Sequence, residues 1–517
     1  MRRWLISLML VCLQAASTDA GGKTGKVVFE QWDAAYLGEG RAGYVHTIAR
    51  EIDKDGHKLI RTTAEMRLTA KRFSDTIEMS ADSGTIETES GKVVGVFMRQ
   101  FIGKTQKTLI EGTVVDKVVE GVVMGKELRL VANGKPLEPA PWNDQVVGLF
   151  KQQSIYQEQK LKPGDRFTYF TFEPTINIVL TIQVKALGYR QVELKGTTKK
   201  EKMLLIETIP NKLELKRGNE TMTLQLPISL NWLNEKREQV KMEVDIPGLG
   251  PVVMYRTSKE EALAPAPLAQ LTDIGIGQLV RLKNRILQPY ETTQAVYRIT
   301  IRNDDNAATT FTRDDRQQVK NVQGNTFDLH VKASKMGNEA GGEKEPAAEY
   351  LQSCYFINSE DAKVKQLARQ AVGQETDPWR KSLRIEKWVH SNMRTTNYEA
   401  LATSDEVARK LEGDCTEYSM LTAAMCRAEG VPSRTAIGLI YADVKTVPCF
   451  AFHMWTEVWI KGRWIPIDAT LGKGYVGATH LKITDSSWHD QRTMTPIFPV
   501  IRVVGRVSID ILSAQGR

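Results

Sequence analysis

From residue 25 to 258 apolar and polar positions alternate in short runs, with a period of two and not the 3.6 of a helix. The runs at 27–31, 43–51, 59–68, 76–80, 92–98, 108–115, 118–124 and 126–132 each read as a strand with one covered face. Turn-prone breaks such as Asp53-Lys54-Asp55-Gly56 and Asn133-Gly134 separate them. A helical interlude is expected over 142–158, and strands resume at 166–172, 178–186, 191–197, 202–209, 212–216 and 239–245. So many antiparallel strands at regular spacing predict a large, curved sheet of half-barrel type over 25–258.

The pattern then changes. A Pro/Ala-rich linker is read at 259–276, followed by a smaller β segment at 277–333 that includes strands 295–302 and 326–333. A Gly-, Glu- and Lys-rich stretch at 334–350 reads as a mobile connection. Helical periodicity appears only after it, at 362–372 and 378–393, and opens an α+β unit over 351–490. Residues 491–517 read as a C-terminal strand extension.

Composition changes this picture in two places. Residues 1–20 carry Arg2 and Arg3, an apolar run too short to span a bilayer, and small residues around Ala15-Ala16-Ser17 and Thr18-Asp19-Ala20. They read as a cleaved signal peptide, so a periplasmic or extracellular protein without an integral membrane segment is expected. Beyond Cys12 there remain Cys354, Cys415, Cys426 and Cys449, far too few for a disulfide scaffold in a chain of 517 residues. The net charge of +8 is dispersed, with no basic stripe interleaved with aromatics, so nucleic acid is not an expected partner. The cysteines and histidines form no zinc spacing and the acidic residues no calcium loop, so neither metal nor cofactor is expected.

The candidate chemistry lies in 410–470. Asp414 followed by Glu417, just ahead of an apolar run, is an Asp form of the capping box. It places Cys415 at the first position of a helix whose core face carries Met420, Leu421, Ala424 and Met425. A thiol there meets the positive end of the helix, which favours thiolate, and the Cys415 backbone N–H is available to an oxyanion. Cys426 lies on nearly the same helical face and reads as core. Gly413 is expected to let a substrate approach the sulfur. Further on, residues 450–470 read as a hairpin about Lys461-Gly462. If Ile460 faces Arg463, Trp455 faces Asp468 and His453 faces Thr470. His453 and Asp468 then share a sheet face as diagonal neighbours, about 7–8 Å apart at Cα and within side-chain reach. A carboxylate so placed holds the imidazole in one tautomer while its other nitrogen takes the thiol proton.

Four blocks, Gly413-Asp414-Cys415, Arg427-Ala428-Glu429-Gly430-Val431-Pro432-Ser433-Arg434, His453-x-Trp455-x-Glu457-Val458 and Asp468-Ala469-Thr470, resemble the transglutaminase-like superfamily of papain-type Cys-His-Asp enzymes. Glu429 departs from the commoner Leu-Gly of the second block. The resemblance covers roughly 355–475 and implies a nucleophile-bearing helix packed on an antiparallel sheet, with a strand at 435–441. It implies Cys415 as nucleophile, His453 as general base and then acid, and Asp468 as its orienting group. Arg434 is expected to pair structurally. A second oxyanion donor would come from upstream, where Tyr398 is favoured over Trp388 because Trp388 sits on an amphipathic helix. The implied activity is acyl transfer from an amide of a protein or peptide, or of a cell-envelope polymer, through a thioester. Hydrolysis is placed modestly ahead of transamidation. The competing reading is an inactive transglutaminase-like scaffold or binding protein of the cell envelope, in which the β region would do the work.

Overall fold

The computed structural model describes residues 25–516, apart from 55, 74, 103–105, 120–121, 196–199, 218–219, 248, 268–269, 335–341, 343, 397–401, 490 and 492–494. The expected signal peptide, the centre of the 334–350 connection and Tyr398 therefore lie outside the described residues.

Alternation does produce sheet. One antiparallel sheet gathers fifteen strands from residues 27–257, with Val27–Leu37 in its middle. On one side of that strand a meander runs outward through Gly40–Lys54, His57–Arg72, Asp75–Thr88, Val93–Ile102, Gln106–Val119 and Val122–Ala132. On the other side the sheet continues through Gly250–Thr257, Gln239–Ile246, Ser229–Leu233, Lys200–Pro210, Ile178–Glu193 and Arg166–Glu173. Residues 140–147 stitch the two flanks together. Ala140–Pro141 pairs with Val122–Ala132, and Val146 bridges Phe170. Trp142 packs against Phe172 across that seam, with ring centroids 5.9 Å apart.

Two local expectations need correction. The run 118–124 is not one strand: Val119 pairs with Val122, so the chain reverses in its middle. Two apolar pairs, Val118-Val119 and Val122-Val123, flank that reversal and hide it from a pattern based on hydrophobicity alone. The helix of the interlude is confined to Leu149–Glu158, because the residues before it join the two flanks of the sheet. The segment 259–276 also holds structure. Lys259–Leu263 is a short helix capped by Ser258, and the Arg41 guanidinium donates to the Ala262 carbonyl at 3.0 Å.

The α+β unit is built on a five-stranded sheet. Val447–Ile460 is flanked by Ser433–Val444 on one side and by Arg463–Ile467 and Val280–Arg281 on the other, and His480–Ser486 pairs with Ser433–Val444. Helix Cys415–Ala428 packs on this sheet, with helices Ala362–Val372, Pro378–Asn392 and Ser404–Lys410 around it. A second sheet joins Gln294–Ile301, Gln317–Gln323 and Thr326–Lys332 to the C-terminal strand Val507–Gln515. Both sheets feed one apolar core, in which Tyr297, Phe327, Met420, Leu421, Ala424 and Phe450 are fully buried. The segments before and after the α+β unit thus close on each other and on it. The β region meets this body through Phe498 and Ile501, which pack on the cluster containing Leu180 and Leu224, and through Arg72. Among the described residues no helix is long and apolar enough to cross a membrane.

Candidate active site

Helix Cys415–Ala428 begins at Asp414, whose side chain takes the Thr416 N–H at 2.9 Å. Glu417 closes the capping box by accepting the Asp414 N–H at 2.9 Å, and its other oxygen takes the Ala402 N–H at 2.9 Å. Cys415 is therefore the first helical residue, partly exposed, with its N–H among the amides that no helical carbonyl can reach. Burial raises the Glu417 pKa to about 8, with Asp414 adding to it.

Gly413 is required by this turn. Its φ is +153°, and a Cβ built there would stand 2.3 Å from the Cβ of Glu417. Gly413→Ala is expected to cost about 2–4 kcal/mol by thermal or urea unfolding and to misplace the thiol, lowering Cys415 alkylation in parallel.

The hairpin has the register read from the sequence, with Ile460 opposite Arg463 and Thr456 opposite Ile467. Lys461 and Gly462 both take positive φ, +48° and +79°, as a two-residue primed turn requires. Asp468 follows directly on the last strand residue, and its Oδ2 lies 2.8 Å from His453 Nε2. The remaining ring nitrogen, Nδ1, is not engaged by Asp468, and the Cys415 thiol lies near enough for the two groups to shift each other's proton affinity. Cys415, His453 and Asp468 are thus brought together.

Three further groups converge on Asp468. His480, on strand His480–Ser486, places Nε2 3.0 Å from the same Oδ2. A carboxylate can only accept, so both Nε2 atoms donate, and His480 Nδ1 is left buried without a partner. Glu386, on helix Pro378–Asn392, accepts the N–H groups of Asp468 and Gly474 at 3.2 and 3.1 Å. The third is the Thr470 N–H, which donates to Asp468 Oδ1 at 2.9 Å. His453, Asp468 and His480 also offer ligand atoms within 4.8 Å of one another. Hydrogen bonding to one shared carboxylate oxygen accounts for that grouping without an ion.

Burial by itself would lower the His453 pKa, but Asp468 and Cys415 overcome it and lift it to about 10. Asp468 is held well below the usual carboxylate range by His453 and His480, against the pull of burial. His480 goes the other way: burial drives it down to about 4, so it stays neutral beside the charged pair. Burial and Asp414 raise the Cys415 thiol, and His453 and the Met454 N–H oppose them. The net shift of the Cys415 thiol is upward, while Asp468 favours a proton on the imidazole. Cys426, buried in the core of the same helix, is pushed up to about 12.

Glu386 provides a separate handle. Burial raises its pKa to about 7 against two backbone hydrogen bonds. A carboxyl that binds its proton more tightly when folded costs stability as pH rises from about 4.5 through 7. Glu386→Gln keeps an acceptor oxygen and removes the ionisation. It is expected to gain about 2–3 kcal/mol relative to wild type between pH 5 and pH 8, read as the change in urea midpoint.

Arg434 takes the structural place expected for it, bound to Glu457 at 2.7 Å and Asp485 at 2.9 Å, with its guanidinium 4.1 Å above the Trp464 ring. Cys354, Cys415, Cys426 and Cys449 are free thiols. Trp388 packs partly buried against the core, and Tyr398 lies outside the described residues. His480, Glu386 and Arg72 escape the sequence reading. The histidine in the run HLKITDS carries no local signal beyond its alternation with apolar neighbours.

The model of the transglutaminase-like superfamily matches residues 365–469, a span that holds Cys415, His453 and Asp468 together. Residues 365–469 form a transglutaminase-like domain. That match sets the domain in a family of cysteine-dependent enzymes. An uncharacterized protein of Haemophilus influenzae is 32% identical over 97 residues, which are 18% of this chain and 26% of that protein. The chain therefore spans about a quarter of the length of that relative. Among solved structures, a supposed cysteine protease from Cytophaga hutchinsonii covers 44% of this chain and 86% of its own, at 16% identity and a TM-score of 0.29. A β-barrel-like protein with a domain of unknown function from Brucella abortus covers 44% of this chain and 95% of its own, at 10% identity and a TM-score of 0.30.

Proposed function

We propose that the chain is an exported cysteine enzyme that cleaves amide bonds of a protein, peptide or cell-envelope polymer through a thioester. The observation that carries this reading is the Cys415 thiol at a capped helix start, beside an imidazole whose Nε2 is held by Asp468 at 2.8 Å. The sulfur attacks the amide carbon as its proton passes to His453. The Cys415 N–H faces the oxyanion. Collapse of the intermediate breaks the C–N bond, and the imidazolium gives its proton to the departing amine. Water then attacks the thioester, losing a proton to His453, and the acid leaves as the thiol is restored. A primary amine in place of water would yield a new amide. Hydrolysis is favoured, because Cys415 is partly exposed at the helix start. The leader-like composition of residues 1–20 supports export.

The test is incubation of the full chain with unfolded protein and cell-wall peptide substrates, with and without a primary amine, with products resolved by mass. Cys415-dependent hydrolysis products that persist beside the amine support the reading. Amine adducts that replace them would convert it to transamidation. Absence of any Cys415-dependent product would move the function to the β region.

A further inference from the structure

We propose that Arg72, carried by the β region, is a positioning residue for the Cys415 nucleophile, so that the active site is completed by a part of the chain outside the transglutaminase-like domain. This inference rests on Cys415 being the nucleophile.

Strands His57–Arg72 and Asp75–Thr88 form a hairpin whose last ladder pair is Arg72 with Asp75. The residues on either side of Arg72 are held in place. The Lys71 N–H donates to the Thr272 carbonyl at 3.0 Å, and the Phe73 N–H to Asp273 Oδ1 at 3.1 Å. Asp273 also caps the short helix Ile274–Gly277. Phe73 takes a left-handed φ of +59°, and its ring lies so close to Gly275 that a Cβ there would stand 3.1 Å away. A non-glycine residue held in that conformation costs free energy and persists only where its surroundings impose it.

Held between Lys71 and Phe73, Arg72 brings Nη2 to within 2.8 Å of Asp414 Oδ2. The two oxygens of Asp414 divide their work. Oδ1 takes the N–H and hydroxyl of Thr416, both at 2.9 Å, and so holds the helix start. Oδ2 takes the guanidinium. The side chain of Asp414 is 10% exposed and that of Arg72 30%, so solvent screens the pair only in part.

The pairing matters because Asp414 adjoins the sulfur. A carboxylate beside a thiol opposes thiolate, and an opposing cation cancels that effect. The groups facing Cys415 are Asp414 and Glu417 from its own helix, His453 from strand Val447–Ile460 with Asp468 and His480 behind it, and Arg72 from the β region. Asp414 is the carboxylate next to the sulfur, and it is the one that the Arg72 guanidinium pairs with. Burial would lower the Arg72 pKa, but Asp414 and then Cys415 raise it, which places the guanidinium in electrostatic reach of the sulfur. An ion pair serving only to dock the β region would bear on stability and leave the thiol titration where it was.

The experiment is alkylation of the full chain by iodoacetamide between pH 4 and 10, with modification resolved by peptide mass at each cysteine. Arg72→Met is expected to move the inflection for Cys415 up by about one unit and to slow labelling at pH 6 about tenfold. Arg72→Lys should stay within about threefold of wild type, since it keeps the charge. Asp414→Asn, which retains a capping side chain, should lower the inflection and make it insensitive to Arg72→Met. Should Arg72→Met not fold, Asp414→Asn alone decides. An inflection unmoved by either change, in folded protein, overturns the proposal even if the melting temperature falls. A wild-type Cys415 no more reactive than Cys354 would instead sink the nucleophile assignment itself.

Discussion

Cys415→Ala is expected to lower turnover of an amide substrate by at least about 10⁴-fold and to leave the fold intact, because a nucleophile removed from a coupled set takes nearly all of its effect with it. Alanine suits the first turn of a helix, and the Asp414–Glu417 box that starts this helix uses no atom of the thiol. Cys426→Ala supplies the contrast on the same helix. That thiol is fully buried in the core, so its loss leaves a small cavity and costs about 1–2 kcal/mol, with activity retained. Unfolding by urea beside turnover at saturating substrate separates the two: one variant loses chemistry alone, the other stability alone.

Asp468→Asn is expected to have the second largest effect, about 10³–10⁴-fold on turnover, with a stability loss of about 3–5 kcal/mol. Oδ2 accepts from two buried imidazoles, and an amide in its place offers one acceptor oxygen and a pair of donors. At least one Nε2–H then loses its partner or one imidazole takes the wrong tautomer. With the carboxylate gone, burial acts unopposed on His453, whose pKa falls from about 10 to below its ordinary value. The pH dependence follows from the signs. A histidine raised on folding stabilises fully below its unfolded value of about 6.5, and that contribution disappears as pH rises through 10. A depressed aspartate stabilises above about 3.9 and loses the contribution as pH falls. The stability gap between wild type and Asp468→Asn should be widest between about pH 4 and 6.5 and narrow towards pH 10, read from urea midpoints.

What was legible in the sequence was what local rules control. The capping box placed Cys415 at its helix start, and a two-residue turn at Lys461-Gly462 locked the hairpin register, so two distant side chains could be put on one face by counting. Alternation revealed the β region but not the order of its strands, because Val27–Leu37 pairs with Gly250–Thr257, far away in the chain. Neither could it show that residues 140–147 join the two flanks. The missed groups around the site share a cause. Arg72 reaches Asp414 across 342 positions, and Glu386 reaches the Asp468 N–H across 82. His480 lies within 12 positions of Asp468, yet it arrives on a strand paired with Ser433–Val444. No spacing rule connects such residues, and only the packed sheets bring them to one carboxylate or one helix end. The linker reading at 259–276 rested on proline and alanine content, which does not register the Ser258 cap or the hold of Arg41 on Ala262.

The most direct test of an activated Cys415 is iodoacetamide labelling at pH 6 of the wild-type chain and of His453→Ala, with each cysteine followed separately. The account predicts that Cys415 reacts at least about tenfold faster than Cys354, Cys426 and Cys449, and that His453→Ala removes this advantage. Labelling of Cys415 at the pace of the other thiols, or at an unchanged rate in His453→Ala, would contradict it.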